Sequence, residues 1–215
     1  MSEAREAVLG GIRAALGRGA LSASDQAALE ERLDRPTANL LPKVEGDVVQ
    51  RFLARAAALS MTVARVAALA DAPAAVASYV ADRGLPGTLV VATPLKDLNW
   101  PLPLNVRVGT ASKTDTTSVT PCFAAVAETG SVVLLSGPES PTTLNFVPDD
   151  HIVVVRRDQV VRHMEEVWAR IRARGPQLPR TINIISGPSR TADVEQIVQL
   201  GVHGPRRLHV ILVGG

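Results

Sequence analysis

Four short stretches of this 215-residue chain carry side chains able to do chemistry. The most informative is 181–204, TINIISGPSRTADVEQIVQLGVHG. Its pattern predicts a strand ending at Ser186, a tight Gly187-Pro188-Ser189 turn, and a helix from Thr191 to Leu200. In an open parallel sheet, ligands sit beyond the carboxyl ends of the strands. There the N–H groups of a helix N-terminus favour phosphate or carboxylate. Ser186, Ser189 and Thr191 add hydroxyls and Arg190 adds charge. Ser186, Gly187, Pro188, Ser189, Arg190 and Thr191 therefore form a candidate anion loop. The opposing reading is an ordinary capped loop between strand and helix. Asp193 and Glu195 favour that reading, because they already complement the helix dipole and would repel an anion.

The second stretch is Glu128-Thr129-Gly130, a turn between two apolar runs. A carboxylate at a sheet end, partly buried, is a candidate base or nucleophile. The plain alternative is a turn carboxylate that accepts from nearby backbone N–H groups. The third is His203, a loop histidine able to donate a hydrogen bond or carry a proton, set against the commoner surface histidine. In a simple strand-helix-strand unit it stands at the opposite sheet edge from Ser189, roughly 13 Å away along a nine-residue helix. The two share a site only if a loop doubles back or a second subunit contributes. The fourth, Asp149-Asp150-His151, reads as a solvated turn before a strand.

Composition narrows the chemistry. The net charge is +2, and only Lys43, Lys96 and Lys113 among the basic residues are lysines. Nucleic-acid binding through bulk charge is not expected. Cys122 is the single cysteine, so this chain is expected to bind no iron–sulfur cluster and no zinc–cysteine site. Four histidines without paired spacing give no metal motif. The N-terminus carries acidic residues and no long apolar run, so no signal peptide or membrane span is expected and the expected location is the cytoplasm.

The elements that must position these groups read as α/β. Residues 1–45 are expected to be an N-terminal helical extension and linker, with helices over 3–16 and, capped by Ser24, over 25–33. Residues 46–215 are expected to form the main domain. It starts with a helix over 47–59 and a strand over 61–66, followed by a helix over 73–82 and strands over 88–92, 105–108, 123–127, 131–135 and 152–155. A helix over 158–173, a strand over 181–185 and a last strand over 208–213 complete it. Strands that are apolar throughout and alternate with helices predict a mostly parallel sheet with helices on both faces.

Three strings, AETGSVVLLSGP (127–138), PDDHIVVV (148–155) and SGPSRTADVEQIVQLGVHGPRRLHVILV (186–213), resemble the LUD domain in order and spacing, and more narrowly the lactate utilization protein C family. The resemblance covers roughly 50–213 and is strongest from 120 onward. It implies a fold like that of the NagB/RpiA/CoA transferase group and a role in oxidising L-lactate to pyruvate, beside two partner proteins that carry iron–sulfur clusters. CoA transferases of that group use a glutamate in a Glu-x-Gly segment as nucleophile, and Glu128-Thr129-Gly130 is similar in form. Ser131 stands where the family pattern commonly has a second threonine, and either supplies a hydroxyl.

Three functions follow from these expectations. The first is a non-redox subunit of a lactate-oxidising system. A cleft for a small anion would hold Thr129, Gly130 and the 186–191 loop, with Glu128 and His203 as the reactive groups. The second is a self-sufficient enzyme of the CoA-transferase or sugar-phosphate-isomerase type that uses Glu128. The third is an interaction module with a vestigial pocket, docking through the arginine-rich stretch 156–180. A homo-oligomer is a further assembly to test, because it is one way to bring His203 to Ser189.

Overall fold

The computed structural model describes residues 3–35, 40–191 and 199–214. The chain divides into two compact units, Met1–Leu41 and Pro42–Gly215. In the first, α1 (Glu3–Ala15) and α2 (Ala23–Asp34) bury no residue. The cap of α2 is Ser22 rather than Ser24: its hydroxyl accepts from the Asp25 N–H at 3.1 Å. The stripe Val8, Ile12 and Leu16 stays exposed.

The second unit opens with α3 (Val48–Ala58), capped by Asp47, which accepts from the Gln50 N–H at 2.8 Å. Next come β1 (Thr62–Val66), α4 (Ala72–Asp82), β2 (Thr88–Val91), β3 (Asn105–Val108), β4 (Thr117–Pro121), β5 (Ala124–Val126), β6 (Ser131–Leu135) and α5 (Thr143–Phe146). Then follow β7 (Asp150–Arg156), β8 (Val160–Val161), α6 (Met164–Arg172), β9 (Ile182–Ile185), β10 (Arg190–Thr191), β11 (Gln199–Leu200) and β12 (Arg207–Val213).

Six strands form a wholly parallel sheet in the order β1-β12-β7-β4-β2-β3. Its central strands β7 and β12 are apolar at successive positions because both of their faces are covered. On one face α4 packs Val76, Tyr79 and Val80 against Ile152, Val154 and Ile211. On the other, Phe52 and Ala56 of α3 share a core with Val153, Val155, Val210 and Leu212. That second face is completed by a smaller sheet in the order β8-β5-β6-β9. Its residues alternate: Ala125, Val132 and Leu134 face the main sheet, while Ala124, Val126 and Val133 face α6.

Several expectations need correction. The strand ending at Ser186 is not part of the parallel sheet. It is β9, antiparallel to β6, with Val132 opposite Ile185. The helix expected from Thr191 to Leu200 is absent at its described ends, because Arg190 pairs with Leu200 and Thr191 with Gln199 in an antiparallel ladder. Residues 192–198 of that expected helix lie outside the described residues. The helix expected from 158 begins instead at Met164, with His163 as its cap residue. Val160 and Val161 fit the helical period by coincidence, and as β-branched residues they pair with β5. Asp150 and His151 are fully buried at the start of β7 and are not a solvated turn.

Candidate functional site

Glu128 sits where the parallel pairing of β5 and β8 runs past the ends of both strands. Ala125 faces Val160 and Val126 faces Val161. Beyond them, the Ala127 N–H donates to the Val161 carbonyl at 2.8 Å and the Glu128 N–H to the Arg162 carbonyl at 3.0 Å. One step further, the Glu128 carboxylate meets His163, with Nδ1 3.2 Å from Oε2. The acceptor is a carboxylate, so Nδ1 carries the shared proton. His163 is fixed in turn by Glu166, whose Oε1 accepts from the backbone N–H groups of Arg162 at 2.8 Å and His163 at 2.9 Å.

The other side of the turn presses on α3. Gly130 has φ +76°, and a Cβ there would lie 2.7 Å from the Arg55 Cβ and 2.9 Å from its backbone carbon. Gly187, with φ +95°, approaches the next part of the chain in the same way: a Cβ would lie 2.6 Å from the Leu59 carbonyl oxygen. Two glycine turns from distant parts of the chain are thus seated on neighbouring residues at the end of α3. Only glycine allows such contacts at these backbone angles.

Side-chain hydroxyls bridge the two turns. Thr129 Oγ1 and Ser131 Oγ are 2.7 Å apart, and Ser131 Oγ and Ser186 Oγ are 2.7 Å apart. Arg190 donates through Nη2 to the Ser60 hydroxyl, which holds the loop against the start of β1. The Ser189 N–H donates to the Pro205 carbonyl at 2.8 Å, the Gly201 N–H to the Ser189 carbonyl at 3.1 Å, and the His203 N–H to Ser189 Oγ at 3.2 Å. His203 and Ser189 therefore adjoin within one chain, and their expected separation along a helix does not hold. The paired segments β10 and β11 turn the chain back on itself. No hydrogen bond joins Glu128 to His203 among the described residues. The turn that carries Glu128 meets the loop at Ser186 through Ser131, and His203 meets it at Ser189. Pro188 lies between Ser186 and Ser189, and Thr191 starts the ladder with Gln199.

The cluster also lies at an unexpected edge. Leu59 and Ser60 immediately precede β1, and Pro205 precedes β12. The loop therefore gathers where two parallel strands begin, not where they end.

The sequence does not single out His163, which the apolar period places inside the expected helix over 158–173. Its signal was present: His163 followed three residues later by Glu166 resembles the spacing of a helix start.

A second polar cluster is structural. Tyr79 donates its hydroxyl to Asp150 Oδ1 at 2.8 Å, and Arg207 donates through Nε to Oδ1 at 2.6 Å and through Nη2 to Oδ2 at 2.5 Å. Burial and the Asp150 hydrogen bond raise the Tyr79 phenol, so it stays a donor. His209 stacks on Tyr79 with ring centroids 4.3 Å apart, and its Nδ1 lies 2.7 Å from Thr62 Oγ1. Among the described residues no three His, Cys, Asp or Glu side chains gather as metal ligands. Burial pushes the Cys122 thiol up to about 12, which leaves it unreactive at neutral pH. No helix among the described residues is long and apolar enough to cross a membrane.

Strands β4, β7 and β12 of the main sheet, the Glu128 turn and the closing 186–213 segment fall within residues 111–213, which match the LUD domain family. Over that segment the chain is similar to LUD-domain proteins, and a mostly parallel α/β sheet lies at its centre. Over 97 residues it is 40% identical to lactate utilization protein C of Deinococcus radiodurans, a match covering 45% of either chain. It is also 40% identical over 91 residues to lactate utilization protein C of Geobacillus thermodenitrificans, covering 41% of this chain and 38% of that one. The matched segment thus spans less than half the length of these curated relatives. The crystal structure of a DUF162 family protein from Deinococcus radiodurans superposes with a TM-score of 0.61 at 27% identity, covering 80% of this chain and all of the other.

Proposed function

We propose that the chain serves lactate utilization as a LUD-domain subunit of a system oxidising L-lactate to pyruvate. In this reading the cluster around Glu128 and Ser186 takes a short 2-hydroxy or 2-oxo carboxylate. The observation that carries the site is the hydrogen-bonded line Thr129–Ser131–Ser186, which brings a carboxylate turn and a serine-rich loop together from sequence positions 55 residues apart. Hydroxyl donors and the Arg190 guanidinium suit the ligand's carboxylate. Glu128 suits its 2-hydroxyl, because an ionised carboxylate accepts the hydrogen bond that an alcohol donates. The lactate role rests on the names of the relatives and on the LUD match.

Conversion of lactate to pyruvate removes two electrons and two protons, so an electron acceptor is required. A cysteine-ligated cluster needs several thiolates, and this chain has one cysteine. The proposal places the acceptor in partner proteins, which the family resemblance implies carry iron–sulfur clusters, with this chain as the non-redox component.

The test is isothermal titration of L-lactate and of pyruvate into the full chain and into Glu128→Gln and Ser186→Ala. The expected result is saturable binding of at least one acid, weakened tenfold or more in each variant. Equal binding by the parent and both variants would refute the site.

A further inference from the structure

We infer that His163 is the positioning residue for Glu128: its Nδ1–H holds one carboxylate oxygen, Oε2, and so aims the other, Oε1, at the ligand. The inference rests on the reading of Glu128 given above and adds a residue to it.

Three observations support the role. The contact is set by backbone geometry and not by a chance meeting of long side chains. The β5–β8 register, Ala125 with Val160 and Val126 with Val161, extends past both strands through the Ala127 N–H to Val161 and Glu128 N–H to Arg162 bonds, which brings position 163 alongside position 128. The imidazole is also held from its own backbone, where Glu166 clamps the N–H groups of residues 162 and 163. Finally, the pair is enclosed: the His163 side chain is 11% exposed and that of Glu128 22%. A hydrogen bond shielded from water in this way restricts the carboxylate more than an exposed one would.

Chemically, the arrangement divides the carboxylate into two unequal oxygens. Oε2 is committed to His163. The Glu128 backbone N–H is committed to the Arg162 carbonyl, which ties the backbone of the turn to the segment that carries His163. Among the described residues Oε1 makes no hydrogen bond and is left to accept from a ligand hydroxyl. A carboxylate held in one orientation needs less ordering when ligand binds, which is how a residue that never touches the ligand raises affinity.

Two readouts test this on the full-length chain. The first is a long-range proton–nitrogen spectrum of the histidine rings. Free neutral imidazole favours the tautomer with the proton on Nε2, whereas a carboxylate at Nδ1 selects the other. The expected result is His163 protonated on Nδ1 in the parent, changing to the Nε2 tautomer in Glu128→Gln. His163 on Nε2 in the parent overturns the proposal whatever the binding data show. The second readout is L-lactate titration of His163→Asn and His163→Leu. The Asn amide can donate from nearly the place of Nδ1, so His163→Asn is expected within threefold of the parent. His163→Leu is expected to lose tenfold or more while keeping its circular dichroism spectrum and melting point within a few degrees.

Equal losses in both variants overturn positioning, since a group that must carry the proton itself is not replaced by Asn. Unchanged binding in His163→Leu, with loss in Glu128→Gln, overturns the proposal and leaves the Glu128 site standing. Unchanged binding in Glu128→Gln refutes the underlying site instead.

Discussion

Gly130 shows how strictly the site is built at the level of one residue. Any side chain there would need a left-handed backbone angle and would enter the space of Arg55 and its backbone. Gly130→Ala is therefore expected to destabilise the second unit by about 2–4 kcal/mol, from αL strain plus displacement of α3. Urea titration followed by Trp100 and Trp168 fluorescence measures it, and a change under 1 kcal/mol would mean that the turn shifts freely. At this scale much of the site was legible. The Glu-Thr-Gly turn and the serine-rich bend stand out because their residue types are unusual between apolar strands. The spacing of His163 to Glu166 marks only a helix start; its contact with Glu128 comes from strand register, which leaves no local motif. The pairing of Val160 with Ala125 that creates the contact is separated by 35 residues of chain.

Between elements, Asp150 ties α4 to two central strands. Tyr79 reaches it from α4, and Arg207 reaches it from the first position of β12. Removing the carboxylate leaves a buried phenol and a half-exposed guanidinium without their acceptor. Asp150→Ala is expected to cost about 3 kcal/mol, while Tyr79→Phe, which removes only one hydrogen bond, is expected to cost about 1 kcal/mol. Denaturant melts of the two variants should therefore rank in that order, and a reversed order would contradict the role given to Asp150.

The same scale explains what the sequence left obscure. Runs such as IVVV and LHVILV are β-forming and buried on both faces, so β7 and β12 were plain. The edge of the second sheet was not. β8 is two residues long, and its valines mimic a helical stripe with Met164, Val167 and Ile171. The pairing of 190–191 with 199–200 depends on partners across an intervening stretch, which no local period reveals. An aspartate and a histidine before a strand look like a solvated turn. Only the assembled sheet supplies the Tyr79, Arg207 and Thr120 partners that allow their burial.

For the whole molecule, two buried imidazoles set the response to acid. Burial holds His151 down at about 3 and His209 at about 4, against an ordinary 6.5. The unfolded chain takes up these protons near 6.5 and the folded chain does not. Stability is therefore complete above about 6.5 and falls as pH drops through the interval to 4 and then to 3. At pH 4.5 each histidine lowers stability by about 2 kcal/mol. Urea melts at pH 7 and 4.5 should differ by about 4 kcal/mol from this pair, and His209→Gln should remove about half of that difference. A difference unchanged by His209→Gln would contradict the assignment.

At the same scale the molecule places its candidate site where β1 and β12 begin, against the end of α3, with the hydroxyls of a hairpin turn and a returning loop facing one another. The most direct test is a crystal structure of the full chain grown with L-lactate. The account predicts the ligand carboxylate on the Ser131–Ser186 hydroxyls and its 2-hydroxyl on Glu128 Oε1, with Oε2 still bonded to His163. Lactate bound elsewhere, with Ser131 and Ser186 still bonded only to each other, would contradict it.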